Sequence, residues 1–154
     1  MKGNEKVITC INDLLSDELT AINQYMVHSE MCANWGYEKL HQITEQRAIQ
    51  EMKHAEKLAE RILYLKGEPT SKPDGVAKKG QKIQEMLTTD FGLEAQAIKM
   101  YNDASVVCAA EKDQISKEVF EELLKDEEDH LNTFENIKAH IEKLGAAYLA
   151  TLTG

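Results

Sequence analysis

Apolar residues recur along most of the chain at intervals of three and four, the spacing of one helix face. Four long segments carry this pattern. The first is expected from about Glu5 to Asn34, with Asn4 as N-cap and Ile11, Leu14, Leu15, Ile22, Tyr25 and Cys32 as its stripe. Trp35-Gly36 reads as a turn. The second runs from about Tyr37 to Leu65, with Leu40, Ile43, Leu58, Ile62 and Leu65 inward. The third spans about Lys82 to Ala110, with Ile83, Leu87, Ala97, Tyr101 and Cys108 inward. A break near Glu111–Asp113 precedes the fourth, about Gln114 to Leu144, with Ile115, Val119, Leu123, Phe134, Ile137 and Ile141 inward. Gly145 fits a helix stop, and Ala146 to Leu152 is expected as a short fifth helix. Strand-type alternation is scarce, which predicts an all-α chain.

Both prolines, Pro69 and Pro73, fall in residues 66–81, beside Gly67, Gly75 and Gly80. Such a stretch is a long connection rather than a tight turn. A helix of about 30 residues is about 45 Å long, and sixteen extended residues reach roughly 50 Å. The segment can therefore return the chain along the whole bundle. The pattern predicts an antiparallel four-helix bundle with one long crossover between helices two and three, forming a single domain over 1–154.

Polar residues interrupt the apolar stripes at six places. Glu51-Met52-Lys53-His54 and Glu127-Glu128-Asp129-His130 each hold Glu-x-x-His, which puts carboxylate and imidazole on one helix face. The second motif lies 76 residues after the first, and Glu94 lies 76 after Glu18. In an antiparallel hairpin, residues equidistant from the turn share a height. Glu18 and Glu51 are equidistant from Trp35-Gly36, and Glu94 and Glu127 from the second break. Two hairpins packed with the symmetry of the repeat would bring all six together. Left alone in an apolar core, four carboxylates would repel and pay for lost hydration. Two divalent cations would offset the four charges. Carboxylate and imidazole donors suit iron or manganese, whereas a structural zinc site needs only four ligands, often with Cys. One such motif is commonly a surface pair; the repeat, set on apolar stripes, argues for a metal site.

A net charge of −9 makes nucleic acid an unfavourable partner and cations favourable ones. Cys10, Cys32 and Cys108 are odd in number and unpaired in spacing, as expected of reduced thiols in a cytoplasmic protein. Cys32 and Cys108 read as small core residues. His28, His41 and His140 have no motif partner and read as surface or interface residues. No apolar run follows Met1-Lys2-Gly3, so no secretory signal is expected, and no run approaches membrane-spanning length.

Met1-Lys2-Gly3, Ala21-Ile22-Asn23-Gln24-Tyr25, Asn34-Trp35-Gly36, Glu51-Met52-Lys53-His54-Ala55 and Asp126-Glu127-Glu128-Asp129-His130 together resemble bacterioferritin. The resemblance covers most of the chain and is weakest in 68–82 and at the C-terminal end. It implies a ferritin-like bundle assembled into a 24-subunit hollow cage. Fe(II) would be oxidised by dioxygen or hydrogen peroxide at a di-iron centre within each subunit, and ferric mineral stored in the cavity. Glu18 and Glu94 would be terminal carboxylates, Glu51 and Glu127 bridging ones, and His54 and His130 one on each iron. The resemblance also implies a role for Met52, which follows Glu51 and points about 100° away from the interior. A thioether can ligate haem, and matching methionines of two subunits would clamp one haem b at a twofold interface. Leu19, Ile22, Asn23, Met26 and Ile49 would line that pocket. The haem would help electrons enter for iron release, which implies a ferredoxin-like reductase partner. On residues alone, Met52 reads equally as a methionine packed at an interface.

The chain departs from the family at two places. Gln46 and Gln50 replace His and Asp that hold an extra inner iron in some members, and amides are poor iron ligands. Thr133 stands where an aromatic often follows the second motif. Tyr25 lies seven residues after Glu18, and Tyr101 repeats it after Glu94. Either could give the site an electron or a hydrogen bond; for Tyr101 a locally satisfied core tyrosine is the simpler reading.

Other readings predict different features. A rubrerythrin-type peroxidase would bring a Cys-x-x-Cys module, which is absent from the sequence. A haem electron carrier with structural metals, or a bundle built on a zinc pair, would store no iron. A DNA-protecting mini-ferritin splits its ligands between subunits at a different spacing.

Overall fold

The computed structural model describes residues 2–154. Its helices are α1 (Glu5–Asn34), α2 (Glu38–Tyr64), α3 (Ile83–Ala110), α4 (Gln114–Leu144) and α5 (Ala146–Ala150). No strand occurs among the described residues. The bounds of α1 and α4 agree with the sequence pattern; α2 is one residue shorter than expected at each end, α3 one residue shorter at its start, and α5 ends at Ala150 rather than Leu152.

The helix ends follow local chemistry. The Asn4 side chain accepts from the Lys6 amide and caps α1. Asp113 caps α4 by accepting from the Ser116 amide. At the end of α1 the amide of Gly36, at φ +87°, donates to Ala33 O, and the amide of Tyr37 donates to Cys32 O. This left-handed stop suits glycine. The same pair of bonds ends α2 and α3, but there the left-handed residues are Lys66 and Lys112. No side chain caps α2. Instead the Lys39 amide donates to Leu152 O, so the segment after α5 closes over the start of α2.

α1 packs chiefly on α2, and α3 on α4. Polar seams join the two hairpins. Across α2 and α4 these link Arg61 to Asp113 and Ser116, His54 to Asp126, Gln50 to His130, and Arg47 to Thr133. Partner numbers rise as α2 numbers fall, so these helices are antiparallel. α1 and α3 are antiparallel by the same rule, through Asp17–Gln96 and Gln24–Asp90.

The apolar core is divided in two. One cluster includes Leu14, Leu58, Ile62, Tyr101, Phe120 and Leu123. The other includes Tyr25, Leu40, Leu87, Phe134, Ile137 and Ile141. The six interrupting polar residues lie in the layer between them, which the apolar clusters shield from water along the bundle axis. Cys32 and Cys108 are fully buried members of these clusters. Ile22, Ile43 and Val119 are only half-buried, and Ile115, expected inward, is exposed. Ser116 takes the inward position of the first turn of α4, where it bonds Asp113 and Arg61. The inward stripe is then Phe120 and Leu123, one step round from Ile115.

The crossover is laced to α1 by polar side chains spaced four apart. Asn12 bonds Glu68 O and the Thr70 amide, and Ser16 donates to Lys72 O. Thr20 donates to Asp74, and Gln24 accepts from the Lys78 amide. His28 ends the row. It was expected at a surface or interface, yet it is fully buried. Its Nδ1 lies 2.8 Å from Asp90 Oδ1 and its Nε2 lies 2.6 Å from Lys78 O. Both neighbours only accept, so a doubly protonated ring satisfies both. His41 is half-buried and His140 exposed.

Candidate metal centre

α1 contributes Glu18, α2 contributes Glu51 and His54, α3 contributes Glu94, and α4 contributes Glu127 and His130. All six are buried at 1–3% exposure. Two sets form, each with one ligand-type atom per residue and all such atoms within 4.8 Å of one another. One is Glu18, Glu51, His54 and Glu127; the other is Glu51, Glu94, Glu127 and His130. Glu51 and Glu127 are common to both. The 76-residue repeat is therefore a spatial pseudo-twofold, with a shared pair at its centre.

His54 Nδ1 lies 2.9 Å from Glu127 Oε1, 3.5 Å from Glu51 and 3.6 Å from Glu18. His130 Nδ1 lies 2.8 Å from Glu51 Oε1, 3.5 Å from Glu94 and 3.7 Å from Glu127. The rings stand nearly parallel, 6.1 Å apart. Glu18 Oε2, Glu51 Oε1, Glu94 Oε2, Glu127 Oε2 and His130 Nδ1 are buried without an aligned hydrogen-bond partner. Buried polar atoms are seldom left so. Carboxylate oxygens and an imidazole nitrogen aimed at common points match the donor set of iron or manganese.

Tyr25 OH donates to Glu94 Oε1 at 2.6 Å, and Tyr101 OH donates to Glu18 Oε1 at 3.1 Å. Tyr101 is thus not satisfied locally, contrary to the simpler expectation. Each tyrosine crosses from its own helix to the carboxylate of the other hairpin.

Burial and the charges of Glu51 and Glu127 push Glu18 well above the usual carboxylate range. Burial and the hydrogen bond that Glu94 gives to Glu127 do the same to Glu94. Burial opposes ionisation of Glu127, but hydrogen bonds with Glu94, His130 and His54 hold it well below that range. Burial pushes both imidazoles down, yet bonds to the carboxylates outweigh it. They raise His130 to about 11 and His54 further. The protein groups by themselves thus balance charge with protons, on atoms that a cation would claim.

Sequence reasoning missed the outer partners. His54 Nε2 lies 2.9 Å from Asp126 Oδ2, and His130 Nε2 lies 2.7 Å from Gln50 Oε1. Their signal was available, because Gln50 and Asp126 also lie 76 residues apart. Asp17 was missed too. It is buried, accepts from Gln96, and is raised to about 7 by burial and the charge of Asp74.

Comparison with known proteins agrees with this geometry. The ferritin-like domain family matches residues 8–144. The chain is 38% identical over 152 residues to the bacterioferritin of Rhodobacter capsulatus, covering 99% of this chain and 94% of that one. The chain belongs to the bacterioferritin family. Identity is 37% over 145 residues to the bacterioferritin of Brucella melitensis biotype 1, covering 94% and 90% of the two chains. It is 35% over 145 residues to bacterioferritin BfrA of Mycobacterium tuberculosis, covering 94% and 91%. The ferritin-like domain match runs from within α1 to the end of α4 and takes in the crossover.

Outside the bundle, Met52 is 45% exposed and Met26 53% exposed. Both line a shallow, largely apolar groove on the α1–α2 face, with Ile22, Ala48 and Ile49. Leu19 and Asn23, expected in the same pocket, are outside this lining. No described helix is long and apolar enough to cross a membrane.

Proposed function

We propose that this chain is the subunit of an iron store that oxidises Fe(II) to Fe(III) within its own bundle. The observation that carries this is the set of orphaned buried donor atoms on Glu18, Glu51, Glu94, Glu127 and His130. Fe(II) is the substrate. Glu18 and His54 would hold one ion, Glu94 and His130 the other, with Glu51 and Glu127 serving both. Two ferrous ions held side by side supply two electrons to dioxygen or hydrogen peroxide. The protein does the rest. Tyr25 and Tyr101 orient the terminal carboxylates. The apolar clusters keep bulk water from either end of the site. Family membership supports a 24-subunit cage around a ferric mineral.

The groove at Met52 supports a haem b site. The exposed Met52 thioether in this apolar recess could hold a haem iron, together with the same residue of a second copy across a twofold axis, and the haem would supply electron transfer. Reduction of stored mineral through this haem would call on a ferredoxin-like electron donor. The cage would lie in the cytoplasm, with neither nucleic acid nor membrane as partner.

The test is Fe(II) oxidation by dioxygen, with two irons per chain and then a large excess, beside Glu127→Ala and Met52→Leu. A fast first phase that Glu127→Ala loses, followed by growth of a soluble ferric core, is the expected result. Met52→Leu should keep that phase and lose the haem Soret band. Equal rates in parent and Glu127→Ala, with ferric precipitate in solution, would overturn the ferroxidase reading.

A further inference from the structure

The repeat that pairs the six central residues also pairs their surroundings, and there it breaks. Asp126 stands beside His54 where Gln50 stands beside His130. Arg47 borders Gln50, while 76 residues on, beside Asp126, stands the apolar, fully buried Leu123.

We propose that these outer residues make the two metal positions unequal, with the His54 position binding the cation more tightly. Asp126, Gln50 and Arg47 are the positioning residues that set the difference. This inference rests on the metal-centre reading above.

Proton placement comes first. Arg47 Nη1 lies 2.6 Å from Gln50 Oε1, and a guanidinium can only donate. The Gln50 atom is therefore its carbonyl oxygen, which only accepts. His130 Nε2, 2.7 Å from that same oxygen, must carry a proton. His54 Nε2 must carry one toward the Asp126 carboxylate for the same reason. Both rings thus present Nδ1 to the centre, and the tautomer is the same on each side.

The partners differ in strength. A carboxylate holding the far N–H of an imidazole raises its donor power toward a metal. A neutral amide does so less, and the Gln50 oxygen is already engaged by a cation. Arg47 also brings a positive charge to the His130 side, with a second hydrogen bond to Thr133 Oγ1. The tyrosines act in the same direction. The shorter phenol bond, 2.6 Å, falls on Glu94, and the longer, 3.1 Å, on Glu18. The outer partners of the two imidazoles, Arg47 and the tyrosine bonds therefore all favour the position of Glu18 and His54. Changes of outer partner alter metal affinity roughly 10- to 100-fold, so a preference of about tenfold is expected.

The test uses the whole, chelator-treated protein crystallised with one Co(II) per chain. Anomalous scattering across the cobalt edge gives the occupancy at each position without any turnover. Cobalt should favour the His54 position by about tenfold. Asp126→Asn and Gln50→Glu, both near-isosteric, should each narrow the ratio, and the double variant should narrow it further. Circular dichroism on the same samples reports folding separately. Equal occupancy in the parent overturns the inequality, and a preference that the double variant leaves unnarrowed overturns its assignment to Asp126 and Gln50; neither result touches the metal-centre reading. Cobalt at neither position overturns the metal-centre reading, and the inequality with it.

Discussion

Lys112 sits at φ +61°, and Lys66 at +65°, where a side chain is strained. Both occupy the left-handed stop at a helix end, which the chain fills with glycine at Gly36. The lysines cost roughly 1 kcal/mol each relative to glycine. Lys112→Gly should therefore stabilise the protein by about 1 kcal/mol, seen as a melting temperature roughly 2–4 °C higher. An unchanged or lower melting temperature would show that the Lys112 side chain contributes something the backbone argument omits. The contrast with Gly67 is instructive. A Cβ there would come within 2.8 Å of Ile8 and 3.0 Å of Ile62, so close packing rather than a positive φ demands glycine.

At the scale of elements, the crossover behaves as a strap. Its backbone polar groups cannot pair in a ladder of their own, and the row from Asn12 to His28 satisfies them from α1. The row ends in a buried ion pair, His28 with Asp90, which Gln24 joins by donating to Asp90. Burial pushes His28 down, but the hydrogen bond and charge of Asp90 and the Lys78 carbonyl raise it above its ordinary 6.5. A raised histidine contributes stability that is full below 6.5 and fades as pH rises through its folded value. Burial also raises Asp90 above its ordinary 3.8, but that contribution begins to decline in acid, from 3.8 upward. The histidine therefore sets the upper limit, and the strap should loosen as pH rises above 6.5. His28→Leu should cost about 3 kcal/mol in urea denaturation near pH 6, because it leaves a buried carboxylate without its partner. It should also flatten the pH dependence above 6.5 and speed amide exchange in residues 68–79. Unaltered exchange there would mean that the remaining rungs suffice.

For the whole molecule, the centre joins two hairpins whose α2–α4 interface is polar over much of its length. A cation held by all four long helices would tie them together, and it must displace protons to bind. The imidazole of His130, raised to about 11, and the raised Glu18 and Glu94 carry those protons. Lower pH favours the protonated site, so affinity for Co(II) should fall as pH drops. Calorimetry at neutral pH, in buffers of different ionisation enthalpy, should show at least one proton released per Co(II). Saturation at about a thousandfold excess over Kd should stabilise the fold by about 4 kcal/mol, reversed by chelation. Binding without proton release would contradict the charge balance described for the site.

The sequence alone determined the four helices, the crossover and the six converging residues. Helical periodicity and caps are local, and a fixed offset survives folding as a symmetry. The inward stripes were legible for the same reason, except where a helix start shifted the face, as Ser116 and Phe120 displaced Ile115. Contacts that depend on which helices become neighbours were decided by the tertiary structure. His28 gave no sign of burial, because its partners lie 50 and 62 residues away. Tyr101 meets Glu18 only because the hairpins pack antiparallel across the repeat. Asp126 and Gln50 look like surface residues beside a motif. They become partners of the histidines only when α2 and α4 face each other, since a hydrogen bond needs atoms within about 3 Å and sequence spacing fixes distance only along a single helix.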